Sequence, residues 1–432
     1  MTETPLLVIL AGGASSRMAP LKEKSLLRFG RDPLLISQLL RYQKLGFDQV
    51  VIVGNPQNKD DIANLVAPMI DNLKIDVVVQ AEPNGMGDAL LKIESAIIDQ
   101  PDRAIYVNQV HDVVEDTLHE DMLKAFKKNP QMTHMAGYEM DDYFPGGYLI
   151  VDDKRITGMV EKPGAENRPS NLVNIVAHTH TNAGQLLDAI KAEYAKDDPN
   201  DDHYERAMDA LMKEVEYRVV PYSGQWSALK YPWHVLDIMN YFLDQIDGQV
   251  VAEDAFVAPT ASLVGNVFIG AGARVFPGAS VVGPAYIGAG TIVGNNALVR
   301  NSMVLDNCEV GFTTEIARSY VASNVGMHAC RVLDSVFSEN VNFSAGCTTA
   351  NLRIDKGDVP TMVKGNKMSS GRDKLGAIIG EGAFLGVDVM TMPGVKIGAN
   401  AQIGPGTHVL TDVKASQRIY VKQELVIKDG DD

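Results

Sequence analysis

The stretch VAEDAFVAPTASLVGNVFIGAGARVFPGASVVGPAYIGAGTIVGNNALVRNSMVL, Val251–Leu305, carries an apolar residue at every sixth position. Val251, Val257, Leu263, Ile269, Val275, Val281, Ile287, Val293, Val299 and Leu305 fall in one register, and Gly, Ala, Asn or Ser fills much of the space between. A period of six fits neither an amphipathic helix nor an alternating strand. It fits short parallel strands stacked on the three sides of a prism, the hexapeptide β-helix. The register slips by one to Val310 and Ile316, blurs, and returns at Ile379, Leu385, Thr391, Ile397, Ile403 and Val409. Rods of this type associate sideways, often as trimers, so a homotrimer is expected.

The N-terminal half has a different pattern. Leu6–Leu10 (LLVIL) reads as a buried strand running into Ala11-Gly12-Gly13-Ala14-Ser15-Ser16-Arg17. Glycines there allow close backbone approach, successive N–H groups can cradle phosphate oxygens, and Arg17 offers a guanidinium fork. The loop matches neither the dinucleotide fingerprint nor the P-loop. A helix is expected over Pro33–Leu45, strands over Gln49–Gly54, Asp76–Gln80 and Ala104–Val107, and a helix over Asp88–Ile98. Alternating strands and helices indicate an α/β doubly wound parallel sheet, with ligands at the carboxyl ends of its strands. Gly12, Arg17, Gln80, Gly85 and Asp112 could then share one crevice. Residues 143–180 read as an inserted antiparallel section, followed by the strand Tyr217–Tyr222 and a connecting helix, His234–Ile246, packed on the sheet. The expected divisions are a nucleotide-type domain over 1–232, a connector over 233–250, the β-helix over 251–413 and a tail over 414–432. In that tail Arg418–Ile427 alternates enough for an edge strand.

The 432 residues exceed one ordinary domain, and the 45% hydrophobic and 22% charged composition is that of a soluble globular chain. No signal peptide and no apolar run long enough to span a bilayer is apparent. Three cysteines, Cys308, Cys330 and Cys347, without CxxC spacing fit small core residues in a reducing cytoplasm rather than disulfides or zinc. The net charge of −16 argues against nucleic-acid or anionic-membrane partners. The acidic run Asp197–Asp202 reads as a solvated loop.

The two halves together resemble the sugar-1-phosphate nucleotidylyltransferases that carry a C-terminal left-handed β-helix, above all the bifunctional pyrophosphorylase/N-acetyltransferase group. LAGGASSRM with Glu23-Lys24-Ser25-Leu26 is similar to that family's LAGGxGTRM…PKxL, Ser15-Ser16 replacing Gly-Thr. Gln80-Ala81-Glu82 with Gly85-Met86 looks like its base-reading loop, and Gly146-Gly147 with Glu161-Lys162-Pro163 like its sugar-side glycine and EKP motif. Asn174 stands at the asparagine of its NTG motif, where Ile175-Val176 replaces Thr-Gly. The resemblance implies a Rossmann-like domain that transfers a nucleotidyl group from a nucleoside triphosphate to a sugar-1-phosphate. Ala11, Gly12, Gly13, Gln80, Gly85 and Met86 would bind the nucleotide. Arg17 and Lys24 would act on its phosphates. Gly147, Glu161, Lys162, Asn174 and Lys230 would serve the sugar phosphate, and Asp112 a Mg²⁺ ion. The family's second metal-binding Asp falls at Ala228, with Lys230 two residues on. Metal binding is then reorganised, or Lys230 replaces part of the cation, or transfer is weakened.

In the rod, Met327-His328-Ala329-Cys330-Arg331, Asn340–Gly346 and Thr348–Leu352 fall at the spacing of that family's acetyltransferase motif. This implies acetyl-CoA as co-substrate, His328 as general base, Asn342 and Asn351 holding base and sugar, and Arg300 on the sugar phosphate. The family's tyrosine is Arg331 and its lysine is Ala317, with Arg318 beside it. Three functions stay open: UDP-N-acetylglucosamine synthesis with N-acetyl transfer, a UTP-, dTTP- or GTP-using pyrophosphorylase with a scaffold rod, and a quiet nucleotide-sugar sensor.

Overall fold

The computed structural model describes residues 4–69, 73–196 and 202–428. The acidic run Asp197–Asp202 lies outside the described residues except for Asp202. The chain forms two compact units. One comprises 4–14, Glu23–Leu27 and Pro33–Ala228, and the other Ser15–Lys22, Arg28–Asp32 and 229–428.

In the first unit the strands are β1 (Leu6–Leu10), β2 (Gln49–Gly54), β3 (Lys74–Val79), β4 (Ile105–Gln109), β5 (Asp112–Val114), β6 (Thr133–Glu139), β7 (Gly147–Asp152), β8 (Arg155–Glu161), β9 (Leu172–His180), β10 (Tyr217–Tyr222) and β11 (Trp226–Ala228). Nine of them form one sheet in the order β3-β2-β1-β4-β9-β6-β10-β8-β7. β1, β2, β3 and β4 are parallel, and their side chains are mostly apolar because helices cover both faces. The sheet is mixed rather than wholly parallel, since β9 runs antiparallel to both β4 and β6. Helices α1 (Leu34–Lys44), α2 (Lys59–Val66), α3 (Gly85–Leu91), α4 (Asp116–Lys128), α5 (Ala183–Tyr194) and α6 (His203–Leu211) flank it. One face buries Leu7, Ile9, Leu39, Tyr42 and Ile52, and the other Leu6, Val8, Val51, Ile105 and Leu186. The helix expected over Asp88–Ile98 is shorter and starts earlier, at Gly85.

The second unit is a left-handed parallel β-helix with stacks of eight, nine and eight strands. Its core is a column of single inward side chains, Ile269, Val275, Val281, Ile287, Val293 and Val299 among them, each 0% exposed. The register slip comes before Leu305. Ile287 pairs with Val304 and Val304 with Val321, each coil one residue short of eighteen, and Val321 with Phe337, two short. Leu305 is buried but does not hold the rung position. Corners need the left-handed backbone, which Asn296, Asn301, Asn307, Asn324 and Asn340 adopt at φ of 47° to 60°. Thr313, Arg318 and Ala329 adopt it too, at less favourable residue types.

Helix α7 (His234–Leu243), expected as a connector on the sheet, belongs to this unit. Phe242 stacks on Phe29 at 5.5 Å, and Asp237 accepts from Arg372 Nη1 at 2.6 Å, so its apolar face and its charge are both satisfied there. Among the described residues of the tail only Arg418–Ile419 is a strand, laid parallel on Gln402–Ile403. Tyr420, Leu425, Val426 and Ile427 are exposed.

Candidate active site

β1 ends in a glycine loop held from beneath by two buried asparagines. Asn58 Nδ2 donates to Ala11 O at 2.9 Å, and Asn55 Nδ2 to Gly12 O at 3.3 Å. A Cβ on Gly12 would lie 3.0 Å from Gly54 O and 3.1 Å from Gln80 Oε1, so Gly12 and Gln80 touch across the ends of β1, β2 and β3. Gly13 is exposed, and space around it is open.

Gln80 is buried and its amide hydrogens are committed. Nε2 donates to Gly85 O at 2.9 Å and to Asp88 Oδ2 at 3.0 Å. Its carbonyl oxygen therefore turns toward Gly12 as an acceptor. Gly85 opens α3 at φ +88°, which favours glycine, and Gln109 Nε2 donates to Met86 Sδ at 2.7 Å. Ala11, Gly12, Gln80, Gly85 and Met86 thus surround one edge of the sheet. Asn55, Asn58, Asp88 and Gln109 complete it; Asn55 and Asn58 follow the end of β2, Gln109 closes β4 and Asp88 lies in the first turn of α3, and this nearness to strand ends is the one signal in the sequence that could have found them.

β9 is antiparallel to β4, so its N-terminal half comes to the same edge as the carboxyl ends of β1 and β4. Asn174 lies there. Val173 pairs with Tyr148, which places Asn174 beside Gly147. Glu161 pairs with Gly147, and a Cβ on that glycine would lie 3.1 Å from Glu161 Oε2. Lys162 adopts φ +47° and its Nζ meets Glu161 Oε1 at 2.7 Å. Gly147, Glu161, Lys162 and Asn174 come together at one end of the antiparallel section.

Asp112 is 4% exposed at the start of β5, and Trp226 Nε1 donates to its Oδ1 at 3.3 Å. Trp226 packs on Phe144 at 4.8 Å, two residues before Gly146. This chain of contacts runs from Asp112 toward the sugar-side glycines. Asp112 and Ala228 are direct partners in the β5–β11 ladder. Among the described residues there is no group of three or more His, Cys, Asp or Glu side chains that could hold a metal. Mg²⁺ needs none when one carboxylate and the substrate's phosphates hold it, and Asp112 fits that mode. Lys24 is half-buried in a short helical turn of this unit. Arg17 and Lys230 belong to the other unit. There the Arg17 guanidinium lies 5.8 Å from the Tyr231 ring centre, and Lys230 N donates to His234 Nδ1 at 3.2 Å.

In the rod His328 is exposed just after the strand Gly326–Met327. A Cβ on Gly311 would lie 2.6 Å from Met327 O and 2.9 Å from His328 Nδ1, so a bare glycine in the coil above seats the ring. Asn342 is one rung below on the same stack, paired with Gly326. Arg300 and Asn351 belong to the next stack and its exit corner. Arg300 Nη2 meets Glu315 Oε1 at 3.2 Å. Arg318 binds Asp334 through two bonds of 2.7 Å, and Asn351 Nδ2 donates to the same carboxylate at 2.5 Å. Within one chain His328 and Asn342 thus belong to one stack, and Arg300 and Asn351 to the next.

The nucleotidyl transferase family model matches residues 6–228, and the bacterial transferase hexapeptide model matches 376–411. The bifunctional protein GlmU of Methanococcus maripaludis is 31% identical over 97% of this chain and 98% of its own. A bifunctional sugar-1-phosphate nucleotidylyltransferase/acetyltransferase of Sulfurisphaera tokodaii is 31% identical over 94% of this chain and 97% of its own. The bifunctional protein GlmU of Methanocaldococcus jannaschii is 31% identical over 98% of both chains. The chain belongs to the nucleotidyl transferase family, in the group whose members continue into hexapeptide repeats.

Proposed function

We propose that the chain transfers a uridylyl group from UTP to N-acetylglucosamine-1-phosphate. A phosphate oxygen of the sugar phosphate attacks the α-phosphorus in line, the bond from that phosphorus to the bridging oxygen breaks, and pyrophosphate leaves. No covalent enzyme group is required; positioning and charge neutralisation lower the barrier. The gathering of Gly12, Gln80 and Gly85 with Gly147, Glu161 and Asn174 at one sheet edge supports this reading most directly. Backbone N–H groups around Gly12 and Gly13 hold phosphate oxygens, the Ala11 N–H being given to Val53 O, and Gln80 Oε1 accepts from the base. Lys24 draws charge from the triphosphate, and Lys162 from the sugar phosphate. Asp112 would hold Mg²⁺, which when bound neutralises phosphate charge.

In the rod, His328 takes a proton from the amine of glucosamine-1-phosphate as that nitrogen attacks the acetyl-CoA thioester, and the CoA thiolate leaves. Asn342, Asn351 and Arg300 orient the substrate. Because Arg300 and Asn351 belong to the next stack from His328 within one chain, the site is completed by a neighbouring copy in a homotrimer. The capture of Arg318 and Asn351 by Asp334 favours a second reading, in which the rod is an oligomerisation scaffold alone. Pyrophosphate release with a panel of four nucleotides and several sugar phosphates tests the first activity. No release from any pair would leave only a binding role. CoA-thiol release with glucosamine-1-phosphate tests the second.

A further inference from the structure

Behind Asn174 lies a buried run of hydrogen bonds. His178 Nε2 is 2.8 Å from Asn174 Oδ1, and His178 Nδ1 is 2.8 Å from Tyr204 Oη. His180 Nε2 is 2.9 Å from the same hydroxyl. His178, His180 and Tyr204 are 0%, 2% and 1% exposed. Residues four apart on a straight strand lie roughly 13 Å apart. Here Ile175 pairs with Ala136 while His178 pairs with Met135, so a bulge takes up Val176 and Ala177 and turns His178 back onto Asn174.

Burial keeps both rings neutral, with His178 well below its usual value and His180 lowered to about 3. A neutral imidazole has one N–H donor and one acceptor nitrogen. With Asn174 Oδ1 facing it, His178 Nε2 carries the hydrogen, and Nδ1 must accept. Tyr204 O–H supplies that bond, and its oxygen accepts from His180 Nε2–H. All three bonds run in one direction and end on the Asn174 oxygen. Asn174 Nδ2 is left, and among the described residues no hydrogen bond from it to the protein is formed.

We propose that His178 is a positioning residue: the His180–Tyr204–His178 relay locks the Asn174 carboxamide with both N–H bonds turned to the ligand, selecting a sugar-1-phosphate that presents an oxygen acceptor there. This rests on the reading of Asn174 as a sugar contact. A reversed carboxamide would meet that acceptor with its own oxygen, and the bulge exists to prevent the reversal.

The test measures pyrophosphate release by the full chain with UTP and N-acetylglucosamine-1-phosphate. His178→Leu raises KM for the sugar phosphate roughly three- to tenfold, the scale of one lost hydrogen bond, with KM for UTP unmoved. His178→Gln, whose amide reaches the Nε2 position, restores it, and His178→Asn, whose amide sits at the Nδ1 position, does not. If the leucine variant fails to fold, the Gln/Asn pair carries the same comparison. Asn174→Ala with His178→Leu is no worse than Asn174→Ala alone. A raised KM in Asn174→Ala with an unchanged one in His178→Leu and His178→Asn overturns the relay only. An unchanged KM in Asn174→Ala overturns the sugar-site reading and the relay with it.

Discussion

Asp112 and Ala228 face each other as direct partners across the antiparallel β5–β11 ladder, one bearing a carboxylate and the other a methyl group. Directly opposed Cβ atoms in such a pair are roughly 5 Å apart, close enough for two carboxylates to share one cation. Ala228→Asp therefore places like charges together when no metal is present. Its melting temperature in EDTA falls below that of the parent chain, and millimolar Mg²⁺ returns the loss by mass action. Asp112→Asn lowers nucleotidyl transfer by roughly a hundredfold or more. An Ala228→Asp chain whose melting temperature ignores Mg²⁺ would remove Asp112 from the metal site.

Gly12 has no room for a side chain. A methyl there meets the Gly54 carbonyl at 3.0 Å, a backbone atom that cannot swing aside, and Gln80 Oε1 at 3.1 Å. Gly12→Ala costs about 1–3 kcal/mol of stability and displaces Gln80. Urea unfolding should show the first effect, and a raised KM for the nucleotide the second.

Four buried histidines of the first unit set its acid stability. Burial lowers His119 and His180 to about 3 and His134 to about 4, and takes His178 well below its usual value. Arg41 near His119, Arg218 near His134 and His180 near His178 act in the same direction. The unfolded chain, with histidines near 6.5, binds more protons throughout the window between those values. Stability is complete above about pH 6.5 and falls as pH drops below it, by up to ~1.4 kcal/mol per pH unit for each histidine. Urea midpoints measured from pH 7.5 down to 4.5 check the slope. Replacing His119 with Gln makes it shallower.

Gly311 seats the His328 ring from the coil above. Gly311→Ala pushes against Met327 O and His328 Nδ1 and cuts CoA-thiol release in the same direction as His328→Ala, whose loss is roughly a hundredfold or more. A Gly311→Ala chain that releases thiol at the parent rate would show that His328 needs no seating.

Much of this molecule can be read along the chain because its signals are local and periodic. Ile269 to Val299 recur by six, and their burial follows from that period. The glycine loop after Leu10 sits where a buried strand must end. Local patterns failed where spacing changes by one or two residues. Val304 displaced Leu305 because one coil is a residue shorter, and a shortened coil leaves no mark in composition. Helix α7 meets Phe29 and Arg372 in the second unit, and an apolar face by itself does not name such partners.

The sequence by itself determined two repeating architectures and the identities of the residues at their loops. Only the tertiary structure decided which of those residues meet: Gly12 with Gln80, Asp112 with Ala228, Asn351 with Asp334, and Asn174 with His178. Each of these meetings depends on register between strands, on a bulge or on a corner. Backbone pairing and packing across distant segments set those features, and no local propensity encodes them.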